Sequence, residues 1–464
     1  MRTAIIDIGS NAIRTAVYND DTLGAAEIYN EKFKVDISSL LEQSEFNSEH
    51  DIYDIFYHFL HIFRTLKVES LTCVATEALR KHSRTPEFLL TIHQKFAINI
   101  QVLSGEEEAK LTALGLLWGI PESQGIAADL GGGSLELAEV SGHQIHQVKS
   151  LPLGTKTLSQ RQMAGNDLIK QEIKQQFKIK QYNNLYLIGG AFRLIGRCYL
   201  EHNSSLMKNL HYLTIDAAEF TTFLDQISSL PKFQDFFKQD GRNKYAIEVV
   251  KALIQLFKAQ QLTLSSFGLK EGLRLNLLSP EEQKKDLILE RCLSVAGSFC
   301  DTLDLHSYNE LYSSLTAENN TLSEKLFSAA LILCQSTRHI DSQHKADSLT
   351  NFVLSTDIPF SHLQRANLTV AIVYALSEKV KNIPRSIKRM LTQEEFSHTR
   401  IAGAFIKICL LIDGPILSKP TFSLVKKGRH LEIASKHTLP KKILEQINNQ
   451  LKLINAEISQ NKTL

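Results

Sequence analysis

Gly125-Ile126-Ala127-Ala128-Asp129-Leu130-Gly131-Gly132-Gly133-Ser134-Leu135-Glu136-Leu137-Ala138-Glu139-Val140 sets two apolar runs around a turn of three glycines and a serine. The runs read as strands meeting in a hairpin. A carboxylate, Asp129, stands just before the turn. Glycines let the backbone adopt φ > 0 and bring several N–H groups close to a ligand, which suits a phosphate. A carboxylate beside them suits the metal ion that accompanies phosphate. Taken alone, the stretch equally fits a tight hairpin with an incidental acid. An earlier echo shifts the balance toward phosphate: Thr3-Ala4-Ile5-Ile6-Asp7-Ile8-Gly9-Ser10-Asn11, then Ile13-Arg14-Thr15-Ala16-Val17. This is again strand, Asp, apolar residue, Gly-Ser turn, strand. Two copies of one device imply a duplicated domain whose halves face each other across a cleft, each offering a turn and an aspartate.

At 464 residues the chain exceeds one ordinary core, and roughly two to four domains are expected. With 43% hydrophobic and 22% charged residues it reads as a soluble globular protein. The net charge of +2 announces no polyanion partner, so any attraction comes from local patches. Neither nucleic acid nor membrane is expected as a partner. No apolar run reaches the roughly 18 residues of a membrane span. Cys73, Cys198, Cys292, Cys300, Cys334 and Cys409 form no C-x-x-C pair and sit mostly among apolar residues, which fits core positions and a reducing, cytoplasmic setting. The N-terminus opens into a strand rather than a signal segment.

In chain order, a third strand is expected near Thr22–Tyr29. A helix follows near Asp51–Lys67, whose Ile52, Ile55, Phe56, Phe59, Leu60, Ile62, Phe63 and Leu66 keep helical spacing, leaving His58 and His61 on the surface. Leu71–Val74 and Asn99–Leu103 read as strands, with a helix starting at Pro86 between them. Ser104 caps a helix of about Glu106 to Leu117, with Glu107 placed for a capping box. Beyond the hairpin and one further strand come a helix near Met163–Lys178 and strands at Leu185–Ile188 and Leu264–Phe267. After Ser279-Pro280 glycines become rare and the chain reads as mostly helix, with one hairpin of Thr421–Val425 and His430–Ile433 and a last helix from about Pro440 to Ile458. The expected domains are 1–123, 124–280 and 281–464.

Seven segments carry a specific resemblance. Asp7-Ile-Gly-Ser-Asn-Ala-Ile-Arg14, Leu103-Ser-Gly-Glu-Glu-Glu-Ala109 and Asp129-Leu-Gly-Gly-Gly-Ser-Leu-Glu-Leu137 resemble the three signatures of the exopolyphosphatase and guanosine pentaphosphate phosphohydrolase family. Ala75-Thr-Glu-Ala-Leu-Arg80, Ser150-Leu-Pro-Leu-Gly154, Gly189-Gly-Ala-Phe-Arg193 and Phe267-Gly-Leu-Lys-Glu-Gly272 match in family order. That family belongs to the actin-like ATPase superfamily. The resemblance therefore implies an α/β fold: two ribonuclease H-like, actin-type domains around a cleft, then a mainly helical C-terminal domain. It implies removal of terminal phosphate from inorganic polyphosphate, or of the 5′ γ-phosphate of guanosine pentaphosphate, and a homodimer whose helical domains cover the clefts.

Phosphoanhydride hydrolysis needs neutralised phosphate charge, a positioned water and a base. Asp7 and Asp129 are the candidates for holding Mg²⁺, directly or through water. Gly9, Ser10 and Asn11, and Gly131, Gly132, Gly133 and Ser134, would cradle phosphate oxygens. Arg80 would bind phosphate or stabilise transition-state charge; Arg14 would do so too, or form a structural salt bridge. Glu106, Glu107 and Glu108 begin a helix, where acids offset the macrodipole in any case. The resemblance assigns the catalytic base to the glutamate directly before the alanine, Glu108. The family pattern has Ser, Asn and Thr where this chain has Ala12, Arg84 and Ala191, which would retune phosphate contacts.

The helical region resembles metal-dependent HD phosphohydrolases but has no His-Asp pair after residue 280; His339, Asp341, His344 and Asp347 lack the order. It reads as a lid or dimerisation unit. Lys379, Lys381, Arg385, Lys388 and Arg389, with Lys426, Lys427 and Arg429, form either a solvated basic face or a track for a polyanion. No P-loop motif is present. A kinase would need an adenosine pocket and an acceptor-activating aspartate, neither of which is identifiable; a catalytically silent phosphate-sensing scaffold is opposed by the intact Asp7, Glu108 and Asp129.

Overall fold

The computed structural model describes residues 1–42, 51–80, 82–162, 165–205, 207–234, 241–300, 302–316, 322–377, 383–414, 417–427 and 430–461. The chain forms two compact units, one of Met1–Ser205 with Leu210–Lys285 and one of Leu206–Asn209 with Asp286–Leu464.

The first unit is built on two sheets. The first holds β1 (Thr3–Ile8), β2 (Ala12–Tyr18), β3 (Glu27–Lys34), β4 (Ser70–Ala75) and β5 (Ile100–Val102), in the order β3-β2-β1-β4-β5. β1 runs antiparallel to β2 and parallel to β4. The second holds β6 (Gly125–Leu130), β7 (Leu135–Ser141), β8 (Gln144–Leu151), β9 (Asn184–Ile188), β10 (Leu213–Asp216) and β11 (Gln261–Leu264). Read as β8-β7-β6-β9-β11, it repeats the order and directions of the first, with β10 added antiparallel at the edge. β1 and β6 also share one burial pattern, in which every residue is buried except the aspartate, which is partly open. A central strand covered on both faces needs such a continuous apolar run, and the acid interrupts it only where the sheet meets the cleft.

Two helices are exchanged between the sheets. Gly105–Gly119 follows the first sheet in sequence, yet its Ala113, Leu116 and Leu117 pack with Ala127, Ala138 and Val140 of the second. Leu269–Leu277 follows the second, yet its Leu273 packs with Ile5, Ala16 and Val74 of the first. The helices meet at two glycines. A Cβ on Gly115 would lie 2.0 Å from the Gly268 carbonyl oxygen, and one on Gly272 would lie 1.8 Å from that of Leu111. Each sheet thus reaches the other through a helix docked backbone to backbone.

Three expected elements are displaced. The third strand begins at Glu27, because Asn19–Ala26 is a loop closed by Asn19 N–H to the Ala26 carbonyl at 3.0 Å. Buried Arg274 holds the Asp20 carbonyl of that loop at 2.5 Å. The strand expected at Leu264–Phe267 is Gln261–Leu264, because the Ser265 hydroxyl bonds both N–H and carbonyl of Phe267 and turns the chain. The helix expected near Met163 runs Asn166–Gln176 after Gly165, whose φ is 117°; Met163 lies outside the described residues.

The second unit is helical around His362–Leu376 and Gln393–Ile412, with the hairpin of β12 (Phe422–Lys427) and β13 (His430–Ser435) and a last helix, Lys441–Asn461. The Asp341 carboxylate accepts from Gln343 N–H. Lys379, Lys381 and Arg429 lie outside the described residues, as do the side chains of Lys426 and Lys427. Among the described residues no helix is long and apolar enough to cross a membrane.

Candidate active site

The duplicated strands end in matching turns. Gly9 N–H donates to the Ala12 carbonyl at 2.9 Å, and Gly131 N–H to that of Ser134 at 3.0 Å. The turns lie face to face across the cleft. A Cβ on Gly132 would come within 2.6 Å of Asn11 Nδ2, and one on Gly133 within 1.7 Å of Glu77 Oε2. A side chain at either glycine would have to push the Asn11 or Glu77 side chain aside. The second turn is strapped from behind: Thr155 and Lys156 N–H donate to the carbonyls of Gly131 and Gly132 at 3.1 and 2.7 Å, and Thr157 Oγ1 to that of Gly133 at 2.7 Å. The N–H groups of Ser10, Asn11, Gly132 and Gly133 have no hydrogen-bond acceptor among the described residues. Ser10 and Gly133 are buried, and native structures seldom leave buried donors unpaired, so the two turns could accept an anion.

Glu108 reaches the cleft because Glu107 is used elsewhere. Ser104 N–H donates to Glu107 Oε2 at 2.7 Å and Glu107 N–H to Ser104 Oγ at 3.2 Å, a complete capping box. One residue on, Glu108 Oε2 accepts from Arg80 Nη1 at 2.7 Å, and the same nitrogen donates to the Leu103 carbonyl at 2.9 Å. Burial pushes the Glu108 carboxyl up to about 7, opposed by Arg80 and reinforced by Asp129 and Asp7. Burial likewise raises Asp129 to about 6, against the pull of Arg193, with Asp7 adding to the rise. Asp7 is also raised, by burial first, with Arg14 opposing.

A fourth carboxylate completes the floor. Glu136 stands directly opposite Asp129 in the β6–β7 register, is buried, and accepts from Ser150 Oγ at 2.7 Å. Burial, then Glu108 and Asp129, hold it well above the usual range. Burial first, and then mutual repulsion, raise these acids even with Arg14 and Arg193 in the same cleft. Their donors are all oxygen, which suits a hard cation such as Mg²⁺, able to bind through one or two carboxylates and complete its shell with water and phosphate. Among the described residues no three His, Cys, Asp or Glu gather into a protein-only metal cage.

Asp7, Gly9, Ser10, Asn11, Arg14, Glu108, Asp129, Gly131, Gly132, Gly133 and Ser134 all line this one cleft. Arg80 does not; it stands behind Glu108. Arg14 stands opposite Asp7 in the β1–β2 register and draws the Asp7 carboxyl down, without a direct ion pair among the described residues. Ala12 and Ala191 line the cleft without hydroxyls, whereas Arg84 is turned to Glu87 at 2.9 Å, outside it. Sequence reasoning gave no role to Glu77, Glu136, Arg193 or Lys32, which also line the cleft. Three of them lie inside the quoted segments, and cross-strand pairing of Asp129 with Glu136 was the available signal; Lys32 had none until the β2–β3 register was known.

Two sheets of one strand order, an aspartate near the end of the first strand of each, and glycine turns opposed across a cleft define an actin-like fold. A model of the Ppx/GppA phosphatase family matches residues 16–281, more than half of the chain, and the chain belongs to that family. An uncharacterised protein of Streptomyces coelicolor is 28% identical over 170 residues, 36% of this chain and 51% of that protein. The chain thus spans about half the length of this curated relative. A crystal structure of the Aquifex aeolicus family member is 20% identical, with a TM-score of 0.50 over 59% of this chain and 96% of the other. A second structure, of the Aquifex aeolicus PPX-GPPA enzyme, is 20% identical with a TM-score of 0.51, over 59% and 98%. At these identities the likeness shows the fold.

Proposed function

We propose that the cleft hydrolyses phosphoanhydrides and that its substrate is inorganic polyphosphate, shortened by one terminal phosphate per turnover. The observation that carries this reading is Glu108: a buried carboxylate poised near neutrality, oriented by Arg80, facing two turns rich in unpaired N–H donors. The turns would hold the terminal phosphate by its non-bridging oxygens. Glu108 would take a proton from water as the water oxygen bonds to phosphorus. The bridging P–O bond breaks, the shortened chain leaves with its terminal oxygen, and orthophosphate is released. Arg80 fixes the carboxylate and limits its pKa, so that a useful fraction is ionised at pH 7. Asp7 and Asp129 would hold Mg²⁺, which supplies charge neutralisation at the transferred phosphoryl group.

Guanosine pentaphosphate is the second reading, since its terminal anhydride needs the same chemistry. None of the described residues lining the cleft is aromatic, so they offer guanine no aromatic ring to stack on, which favours the inorganic chain. Released phosphate is to be measured with Mg²⁺ from long polyphosphate, guanosine pentaphosphate and ATP, each alone. Fastest release from polyphosphate is expected. Preference for guanosine pentaphosphate would move the assignment to the second reading, and release from none would overturn hydrolysis.

A further inference from the structure

The cleft that holds these acids is also lined by the cations Arg14, Lys32 and Arg193. In the first sheet Asp7 pairs with Arg14 across β1–β2, and Arg14 pairs with Lys32 across β2–β3. Directly paired residues point to the same face, so Asp7, Arg14 and Lys32 form one rung, and all three line the cleft. Each strand step is about 4.8 Å, which sets Lys32 about 10 Å along the rung from Asp7. From the second sheet's side comes Arg193, on the helix Gly190–His202, its guanidinium bonded only to carbonyls, those of Gly189 at 3.2 Å and Ser266 at 3.4 Å. None of the three cations has an ion-pair partner among the described residues.

Arg14 and Arg193 each act on Lys32 more strongly than the Asp7 carboxylate on its rung does, so repulsion between like charges outweighs that attraction at Lys32. Partial burial, then Arg14 and Arg193, hold the Lys32 ammonium below its ordinary pKa. Such a cluster costs stability unless an anion completes it. We infer that Arg14, Lys32 and Arg193 form an anion subsite for the non-reacting phosphates, with Lys32 reading the third phosphate from the chain end. The assignment rests on the hydrolytic reading above. The reacting phosphate sits at the turns, the next lies beside Arg14 and Arg193, and only a chain of three or more reaches Lys32. The rung therefore makes Lys32 a determinant of chain length.

The test is Lys32→Gln, with Lys32→Arg as the charge-preserving control, assayed on pyrophosphate and tripolyphosphate. A charge-assisted contact at a half-open site is worth about tenfold in affinity. Lys32→Gln should raise the KM for tripolyphosphate about tenfold more than that for pyrophosphate, and Lys32→Arg should restore most of the difference. An equal effect on both substrates, or none, overturns the subsite. If wild type releases no phosphate from these or from long polyphosphate, the hydrolytic reading fails; if it is inactive on the two short substrates, calorimetric titration with tripolyphosphate tests the subsite separately. Binding about tenfold weaker in Lys32→Gln upholds it; equal binding, or no binding by wild type, overturns it.

Discussion

The proposed chemistry centres on Glu108, and its two neighbours in space and sequence make that role testable. Glu108→Gln keeps size and helix but cannot accept a proton, so kcat should fall by about 10²–10⁴-fold. Glu107→Gln should stay within a few-fold, because glutamine also closes a capping box; a swap of the two phenotypes would contradict the geometry. The pH profile carries the second expectation. With Glu108 raised to about 7, it serves as base only when ionised, and kcat/KM should rise through about pH 7. Arg80 lowers that pKa, so Arg80→Gln should move the rising limb to higher pH; a limb moved to lower pH would remove Arg80 as its partner. At this scale much was legible: the acids before each turn and the glutamate before Ala109 stand in quoted segments. What was not legible was which side chain faces which. Arg80 reads in sequence as a phosphate ligand or a stabiliser of transition-state charge, and no segment records that its Nη1 bonds Glu108 and the Leu103 carbonyl.

The helices Gly105–Gly119 and Leu269–Leu277 carry the site between the two sheets. Their contact at Gly115 and Gly272 leaves no room for a methyl group. Gly115→Ala should destabilise the protein by about 1–3 kcal/mol through overpacking, read as a lower midpoint of chemical denaturation at unchanged slope. An unaltered midpoint would show that the two backbones can separate freely. Element types were readable because period and caps agree: the apolar spacing of Asp51–Thr65 and the Ser104–Glu107 box each name a helix. Element limits were less so where tertiary partners set them. The Asp20 carbonyl is held by Arg274, hundreds of residues away in sequence, and no local pattern around Thr22 records that. The edge strand Leu213–Asp216 is only four residues long, too short to carry a period of its own.

At the scale of the molecule, duplication puts an acid from each sheet into one buried pit, and that has a stability consequence. Asp129 is raised from 3.8 to about 6 and Glu108 from 4.5 to about 7. The native state then binds more protons than the unfolded state between those limits, so these groups stabilise at low pH and their contribution is lost as pH rises. A cation bound by the carboxylates would reverse the loss. Mg²⁺ should therefore raise the melting temperature at pH 8 more than at pH 5, and Asp129→Asn should abolish most of that gain; an equal gain in the variant would place the ion elsewhere. We also propose a homodimer, for which light scattering should give twice the monomer mass. The two-lobed plan was readable from the repeated strand-Asp-turn device, whereas the exchange of helices was not, because which sheet a helix covers is decided by packing rather than by chain order. The most direct measurement follows orthophosphate released from long polyphosphate with Mg²⁺ in ¹⁸O-enriched water, for wild type and Glu108→Gln. The expected result is one solvent oxygen in each phosphate that wild type releases, with release largely lost in the variant; no release by wild type, or phosphate without solvent oxygen, would contradict hydrolysis in this cleft.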